Sequence, residues 1–316
     1  MLRAFGAAGN LFPGQRPVAA LGVFDGVHRG HLAVIGETVR WARSCRSPAV
    51  IITFDVHPRL CVSGASPPTI TSLEHRLRFF EQAGVDAALI LAFDAEMARV
   101  PAEDFVRRWL GESLRIQGMV VGHDAHFGAD RCGDYCLLAR MGSEYGFTVR
   151  SLPAVMVAGE IVSSTAVRAS IAAGDLQKAS AMLGRPVSVL GTVVAGKGEG
   201  RKLGFPTINL DLHHEIHPPS GVYAGEVCCG NTRWPAAVNI ASEAAGKLAA
   251  PMSAVEAHLL DFHGDLYGQM VEVFILERLR EVRTFSSPGE LSAQIAADVN
   301  LVRERFHILR QEGTSI

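Results

Sequence analysis

Apolar residues follow two rhythms along this chain, and the change falls past its middle. Before residue 185, short unbroken apolar runs alternate with stretches in which apolar positions recur every three or four residues. The runs are "PVAALGVF" (17–24), "PAVIITF" (48–54), "DAALILAF" (86–93) and "QGMVVG" (117–122). Between them a 3.6-residue pattern predicts helices over 30–45, 72–84 and 102–114, with Ser72 as an N-cap. Strands apolar on both faces, alternating with helices, predict an open Rossmann-like parallel sheet covered on both sides. Ligands in such a sheet sit at the carboxyl ends of its strands. Two further helices are predicted, one capped near Ser163 to Thr165 and ended by Gly174, the next starting at Asp175.

The rhythm shifts at "LGRPVSVLGTVVAG" (183–196). Strand-like segments then recur at 187–195, 205–210, 222–229, 234–240, 255–261 and 270–279, punctuated by Gly and Pro. That texture predicts a small antiparallel β-barrel, followed by a helix over 287–311. The reading is therefore two domains, 1–185 and 186–316, joined at Pro186. A chain of 316 residues is long enough for two full cores.

Charge and composition remove some partners. The net charge is −2 with both signs dispersed, which argues against a nucleic-acid surface but leaves room for local phosphate pockets. Although 48% of residues are apolar, no run approaches the ~18 needed to span a membrane, and no membrane partner is expected. Six cysteines in so long a chain do not form a disulfide framework, and no export signal is read at the N-terminus. The expected location is the cytoplasm.

The chemistry concentrates in loops. "DGVHRGH" joins a predicted strand to a predicted helix, where first-turn N–H groups lack partners and the helix dipole is positive. That is an anion site. His28 and His31 add donors suited to phosphate oxygens, and Gly26 and Gly30 let backbone come close. The motif alone fits equally a plain helix start with two surface histidines. Arg168 lies near the start of the predicted helix in "SSTAVR", where a cation opposes the dipole unless an anion binds there.

Together these stretches resemble the prokaryotic bifunctional riboflavin kinase / FAD synthetase family over nearly the whole chain. The resemblance rests on "GVFDGVHRGH", "TFDVHPR" (53–59), "GHDAHFGADRCGD" (122–134), "SSTAVR" (163–168), "LGRP" (183–186), "GRKLGFPTINL" (200–210), "GVYAGEV" (221–227) and "VEAHLLDFHGDLYG" (255–268), in family order. It implies a nucleotidylyltransferase-fold domain that makes FAD from FMN and ATP. It also implies a β-barrel domain that makes FMN from riboflavin and ATP, with Mg2+ accompanying ATP. Carried over, His28 and His31 would stabilise charge at the α-phosphorus. Asp25, Gly26, Ser163, Ser164, Thr165 and Arg168 would line the same triphosphate. Asp55 and His57 would stand beside flavin or metal, or simply fix their loop, and Phe127 would support the flavin. In the barrel, Gly198, Gly200 and Lys202 would cover the kinase nucleotide, Thr207 and Asn209 would hold magnesium, and Glu256 would be the base. Thr207 and Asn209 alternate, so on a strand they share a face.

Two stretches depart from the family pattern. "ASEAAGKLAAPMSA" (241–254) lacks the usual Pro-Thr pair beside the kinase substrates, and Ala125 replaces a usual aromatic. The spacing of His123, His126, Cys132 and Cys136 admits a zinc reading. Cys228 and Cys229 are adjacent on a predicted strand and are read as one core and one surface position. Three functional readings follow: a bifunctional enzyme, a transferase with a degenerate kinase, or a non-catalytic flavin- or nucleotide-binding regulator.

Overall fold

The apolar runs of the first half become the inner strands of one parallel sheet. The structure is a computed structural model that describes residues 1–6, 11–58, 61, 68–196, 198–241 and 255–311. Arg59, Lys197 and nearly all of the divergent 241–254 stretch lie outside the described residues. The chain divides into two compact units, Met1–Ser164 and Thr165–Ile316.

In the first unit the strands are β1 (Leu2–Phe5), β2 (Val18–Leu21), β3 (Ala49–Phe54), β4 (Ala87–Leu91), β5 (Gly118–Gly122) and β6 (Thr148–Leu152). Their order is β1-β4-β3-β2-β5-β6, all parallel. β3 is buried at all six positions and faces two cores by alternation. Val50 and Ile52 join a cluster with Phe105, Leu110, Met119 and Leu138. Ile51 joins another with Ile35, Trp41, Leu77 and Phe80. Helices α1 (Arg29–Ser44) and α2 (Leu73–Gln82) thus cover one face. Helix α3 (Ala102–Phe105, continuing with π-type turns over Val106–Ser113) and α4 (Tyr135–Tyr145) cover the other. A short hairpin, β7 (Met156–Val157) and β8 (Glu160–Ile161), follows.

Sequence order reverses at β2: β3, β4 and β1 extend from one side of it, β5 and β6 from the other. In open α/β sheets, ligands bind outside the carboxyl ends of the strands at such a switch point, here β2 and β5.

The second unit begins one residue into helix α5 (Ser164–Ala173) and continues with α6 (Leu176–Leu183), the latter closed by Gly184 in the left-handed region. The sequence placed both helices before its join at 185. By packing they cluster with the barrel, and α6 lies against the two strands that receive it, β9 and β14. Strand β9 (Val187–Val194), the short helix α7 (Glu199–Lys202), and strands β10 (Ile208–Asp211), β11 (Gly221–Cys229), β12 (Thr232–Ile240), β13 (Val255–Leu259) and β14 (Met270–Arg280) follow. These strands close in the order β10-β13-β12-β11-β14-β9. Helix α8 (Pro288–Gln311) packs Val299, Val302 and Phe306 onto Ala224 and Leu260. It is pinned by Arg280, whose guanidinium grips buried Asp298 at 2.9 and 2.7 Å. Cys228 and Cys229 are both half-buried rather than divided between core and surface, because they lie at the barrel end beside the β11–β12 turn.

Candidate active sites

β2 ends where its loop must turn back into α1, and the loop is strained. Phe24 (φ +54°), Gly26 (φ +83°) and Val27 (φ +38°) all take positive φ. For a buried β-branched residue such as Val27 that is a true outlier. The conformation is held from outside. Asp25, 3% exposed, accepts the N–H groups of Ile70 (2.9 Å) and Thr71 (3.0 Å), while Gly26 N–H donates to Thr71 Oγ1 (2.8 Å). A side chain at position 26 would meet Ile70 at 2.9 Å, so only glycine fits. The carboxylate read from sequence as part of a phosphate loop is engaged with the 70–71 backbone.

The strained loop delivers His28 to the N-cap of α1. Its Nδ1 accepts the N–H of His31 (3.3 Å), and the two imidazoles stack 3.6 Å apart at 18°. Phe24 meets His31 edge-on at 5.3 Å. With Nδ1 used as acceptor, a neutral His28 carries its proton on Nε2 and is a donor. Both histidines therefore stand at the helix N-terminus and at the switch of strand order.

A residue the sequence reading passed over holds this end of the sheet. Arg76 of α2, 4% exposed, donates to the Val23 carbonyl, to Thr53 Oγ1 (3.1 Å) and to the Phe54 carbonyl (3.1 Å). One planar guanidinium thus ties the carboxyl ends of β2 and β3. Asp55 accepts from Val56 N (2.7 Å) and Phe93 N (3.0 Å), joining the loops after β3 and β4. His57 is half-buried in the same loop. Phe127, in the loop after β5, packs on Phe105 at 5.8 Å, with Ala125 beside the same core. His123, His126, Cys132 and Cys136 are exposed. Among the described residues no group of three or more His, Cys, Asp or Glu is placed to hold a metal. Ser164 Oγ donates to the Asp25 carbonyl (2.8 Å), and Ser163 precedes it in the first unit. Thr165 and half-buried Arg168 stand on α5 in the second.

In the barrel, antiparallel register sets one row across three strands. Asn209 of β10 pairs with Glu256 of β13, which pairs with Asn239 of β12. Directly opposed residues share a face with Cβ atoms about 5 Å apart. β13 alternates, with Val255, Ala257 and Leu259 buried inward and Glu256 and His258 half-buried on the outer face. Thr207 immediately precedes β10, two residues before Asn209, which is 9% exposed. A side chain at Gly196 would strike the Asn209 amide at 2.1 Å, and one at Gly200 would strike the Phe205 carbonyl at 2.4 Å. Glycine is required at both places because the 196–200 turn lies on the segment containing Thr207 and Asn209. Gly198 takes positive φ (+67°) before α7, and Lys202 ends that turn, exposed. His258 reaches the same segment through Nδ1–H, donated to the Pro206 carbonyl (2.8 Å). Asn239 and His258 are the barrel residues that sequence reasoning missed.

The oxygens of Thr207 and Asn209, beside the Glu256 carboxylate, are hard donors of the kind Mg2+ takes. The close seating of Gly196 on the Asn209 amide fixes that donor in place, so the residues fit such an ion.

Comparison with known proteins agrees with both halves. A family profile described as FAD synthetase matches residues 14–166. One described as riboflavin kinase matches residues 183–306. A bifunctional riboflavin kinase/FMN adenylyltransferase of Escherichia coli strain K12 is 37% identical over 300 residues, covering 94% of this chain and 95% of the relative. One from Pseudomonas fluorescens is 38% identical over 297 residues, covering 93% and 94%. A crystal structure from Streptococcus pneumoniae, described as a macrolide-efflux protein, superposes with a TM-score of 0.80 at 27% identity, covering 96% of this chain and 99% of that one. Among the described residues of this chain, no helix is long and apolar enough to cross a membrane. The chain belongs to the bifunctional riboflavin kinase/FMN adenylyltransferase family, with the synthetase half first and the kinase half second.

Proposed function

We propose that the chain carries out the family's two ATP-dependent reactions with two separate sets of residues. Residues 1–185 would convert FMN and ATP to FAD and diphosphate. Residues 186–316 would convert riboflavin and ATP to FMN and ADP. The observation that carries the first assignment is the pair of stacked histidines at a helix N-terminus on the switch of strand order.

In the adenylyl transfer an FMN phosphate oxygen attacks the α-phosphorus and the bond to the bridging α–β oxygen breaks, releasing diphosphate. No protein nucleophile is needed. His28 and His31 donate to the phosphate oxygens as negative charge grows, and the N-terminus of α1 adds its dipole. Ser163, in the same unit, would add to these triphosphate contacts. Asp25 and Ser164 act through the loop, Asp25 by fixing its strain and Ser164 by binding the Asp25 carbonyl. Asp55 and His57 set the loop beside the flavin, with Phe127 on its far side.

In the kinase the ribityl hydroxyl attacks the γ-phosphorus while Glu256 accepts its proton, and ADP leaves. Thr207 and Asn209 would hold Mg2+, which offsets charge on the phosphate oxygens when bound. The turn with Gly198, Gly200 and Lys202 would lie over the nucleotide. The six cysteines are all free, which supports a reducing compartment, the cytoplasm.

Incubating the protein with riboflavin, ATP and Mg2+, then separating the flavins by chromatography, tests the whole assignment. FAD is expected. FAD from FMN but not from riboflavin would assign the divergent 241–254 stretch to a degenerate kinase, and no product from either flavin would leave a binding protein.

A further inference from the structure

Pro206 interrupts the barrel where the kinase row needs its best-defined geometry. Pairing of β10 with β13 includes Ile208 opposite Ala257 and Asn209 opposite Glu256. One step further along the register, position 207 would face position 258. The ladder stops there: Pro206 has no N–H to donate, and Thr207 lies outside the strand. Something other than the ladder must fix the direction in which the chain leaves the barrel. The Pro206 carbonyl accepts Nδ1–H of His258 at 2.8 Å, and the same imidazole meets Phe205 edge-on at 5.6 Å. His258 is two residues from Glu256 on the same strand face.

We propose that His258 is a positioning residue for the kinase, acting in place of the missing ladder bond to hold Pro206 and thereby aim Thr207 and Asn209 at the Mg2+-bound nucleotide. The inference rests on the assignment of the Thr207–Asn209–Glu256 row to the kinase. Thr207 lies outside the strand, so apart from the packing of Gly200 near its side chain its backbone is held through its neighbours. On the N-terminal side that neighbour is Pro206, and its carbonyl is held by the imidazole. On the C-terminal side Asn209 is in register with Glu256 and cannot shift without breaking the barrel. With the imidazole bond made, both ends of the P-T-x-N segment are fixed to β13, the strand that carries the base. Without it that end keeps the Phe205 N–H bond to the Gly200 carbonyl (2.8 Å), which ties it to Gly200 and not to β13, so Thr207 can shift while Asn209 stays and the two oxygen donors lose their convergence on one ion.

The test uses the full chain and two readings in each sample: riboflavin phosphorylation against MgATP concentration, and FMN-to-FAD conversion. His258→Ala removes the donor. His258→Asn keeps an amide N–H on Cγ where Nδ1 stands, and His258→Gln moves it one bond further out. Loss of one hydrogen bond of ordinary strength should raise the MgATP concentration at half-maximal kinase rate about tenfold in His258→Ala. The riboflavin half-saturation and FAD formation should stay within about twofold, and His258→Asn should recover MgATP use to within about threefold. Wild-type MgATP use in His258→Ala would overturn the proposal. So would a fall in maximal rate alone, or an Asn variant as impaired as Ala. If His258→Ala also loses FAD formation, the Asn and Gln variants decide. Asn active with Gln impaired supports the role, and equal behaviour overturns it. Glu256→Gln and Asn209→Ala run alongside separate the two levels. If the kinase depends on them but not on His258, only this inference fails. If it is indifferent to them as well, the placement of the kinase site fails.

Discussion

The loop before His28 holds backbone strain, and Asp25 is what holds the loop. Replacing Asp25 with Ala removes the acceptor for the Ile70 N–H at 2.9 Å and the Thr71 N–H at 3.0 Å, both in buried surroundings. A buried donor left unmade costs about 1–3 kcal/mol, so two cost about 4 kcal/mol. For a unit of this size each kcal/mol moves the melting temperature by about 2–4 °C, which gives a drop of about 10 °C. Asp25→Asn keeps the acceptor oxygen and loses the charge. Because charge-assisted bonds are about twice as strong as neutral ones, it should lose about half as much. The catalytic consequence comes through strain. Phe24 and Val27 hold positive φ at a cost of about 1–3 kcal/mol each, and persist only while their surroundings force it. Freed from Asp25, the loop relaxes and carries His28 off the N-cap of α1, so FAD formation should fall about 10²-fold, as for loss of one preorganised donor. Circular dichroism melts of both variants, with FMN-to-FAD and riboflavin-to-FMN rates on the same samples, check this. FMN formation, served by the other unit, should be unchanged. A melt of Asp25→Ala within about 2 °C of wild type would refute the burial argument. A destabilised variant with undiminished FAD synthesis would refute the link between loop strain and the histidines.

Arg76→Lys retains a cation but loses the fork that binds Val23, Thr53 and Phe54, so it should slow FAD formation about tenfold with little change in FMN formation. Equal activity of the two proteins would show that a point charge suffices. Gly196→Ala places a methyl on the Asn209 amide and should reduce FMN formation by about 10²-fold, because a misplacement of about 1 Å at a positioning group costs that much. FAD formation in the same sample is the control. At the opposite end of the sheet, burial pushes Asp86 up, but hydrogen bonds from Arg43 (2.6 Å) and the Ala49 N–H, with the charge of Arg43, leave it below the usual carboxylate range. Its contribution is then present above the unfolded value of about 3.9 and is lost as pH falls through the lower folded value. Melting temperatures of wild type and Asp86→Asn should therefore differ at pH 6 and converge toward pH 2, and a constant gap would remove Asp86 from the acid transition.

What the sequence reveals and what it conceals divide along physical lines. The inner strands and α1–α3 were legible because burial on both faces leaves an apolar run, and burial on one face leaves a 3.6-residue stripe. The outer strands β1 and β6 were not read, for they are largely exposed and carry polar residues such as Arg3 and Arg150. Helix α4 escaped for another reason. Its first two residues end a stretch whose His and Cys spacing drew attention to metal chemistry, yet its Leu138 and Met141 are buried in the ordinary way. His28 and His31 were found because a loop between two regular elements is where unpaired amides must lie. Arg76 was readable in principle: Leu73, Arg76, Leu77 and Phe80 stand at i, i+3, i+4 and i+7, so the charge falls on the stripe that packs inward. A charge on an apolar stripe must find buried partners, and the only polar atoms a sheet offers there are at the ends of its strands.

The barrel row shows where such reading stops. The β11–β12 register follows from a two-residue turn at Gly230 and Asn231, which pairs Cys229 with Thr232 and fixes every pair after it. Fourteen residues, 241–254, separate β12 from β13, so chain length does not set that pairing, and a one-residue slip in it would send Glu256 to face the barrel interior instead of Asn239. The pairing of Asn209, Glu256 and Asn239 is therefore a tertiary fact, set by closure of the barrel rather than by any local signal. In both halves the functional groups stand where regular backbone pairing fails: after β2, where α1 has not yet begun, and before β10, where Pro206 has no hydrogen to give. Such points leave polar groups unpaired by the fold and need a side chain to hold them, Asp25 and Arg76 in one half and His258 in the other. A substrate phosphate or its cation can use the polar groups that remain. The supporting residues are thus as much a part of each site as the groups that touch substrate, and they are the ones a motif does not name.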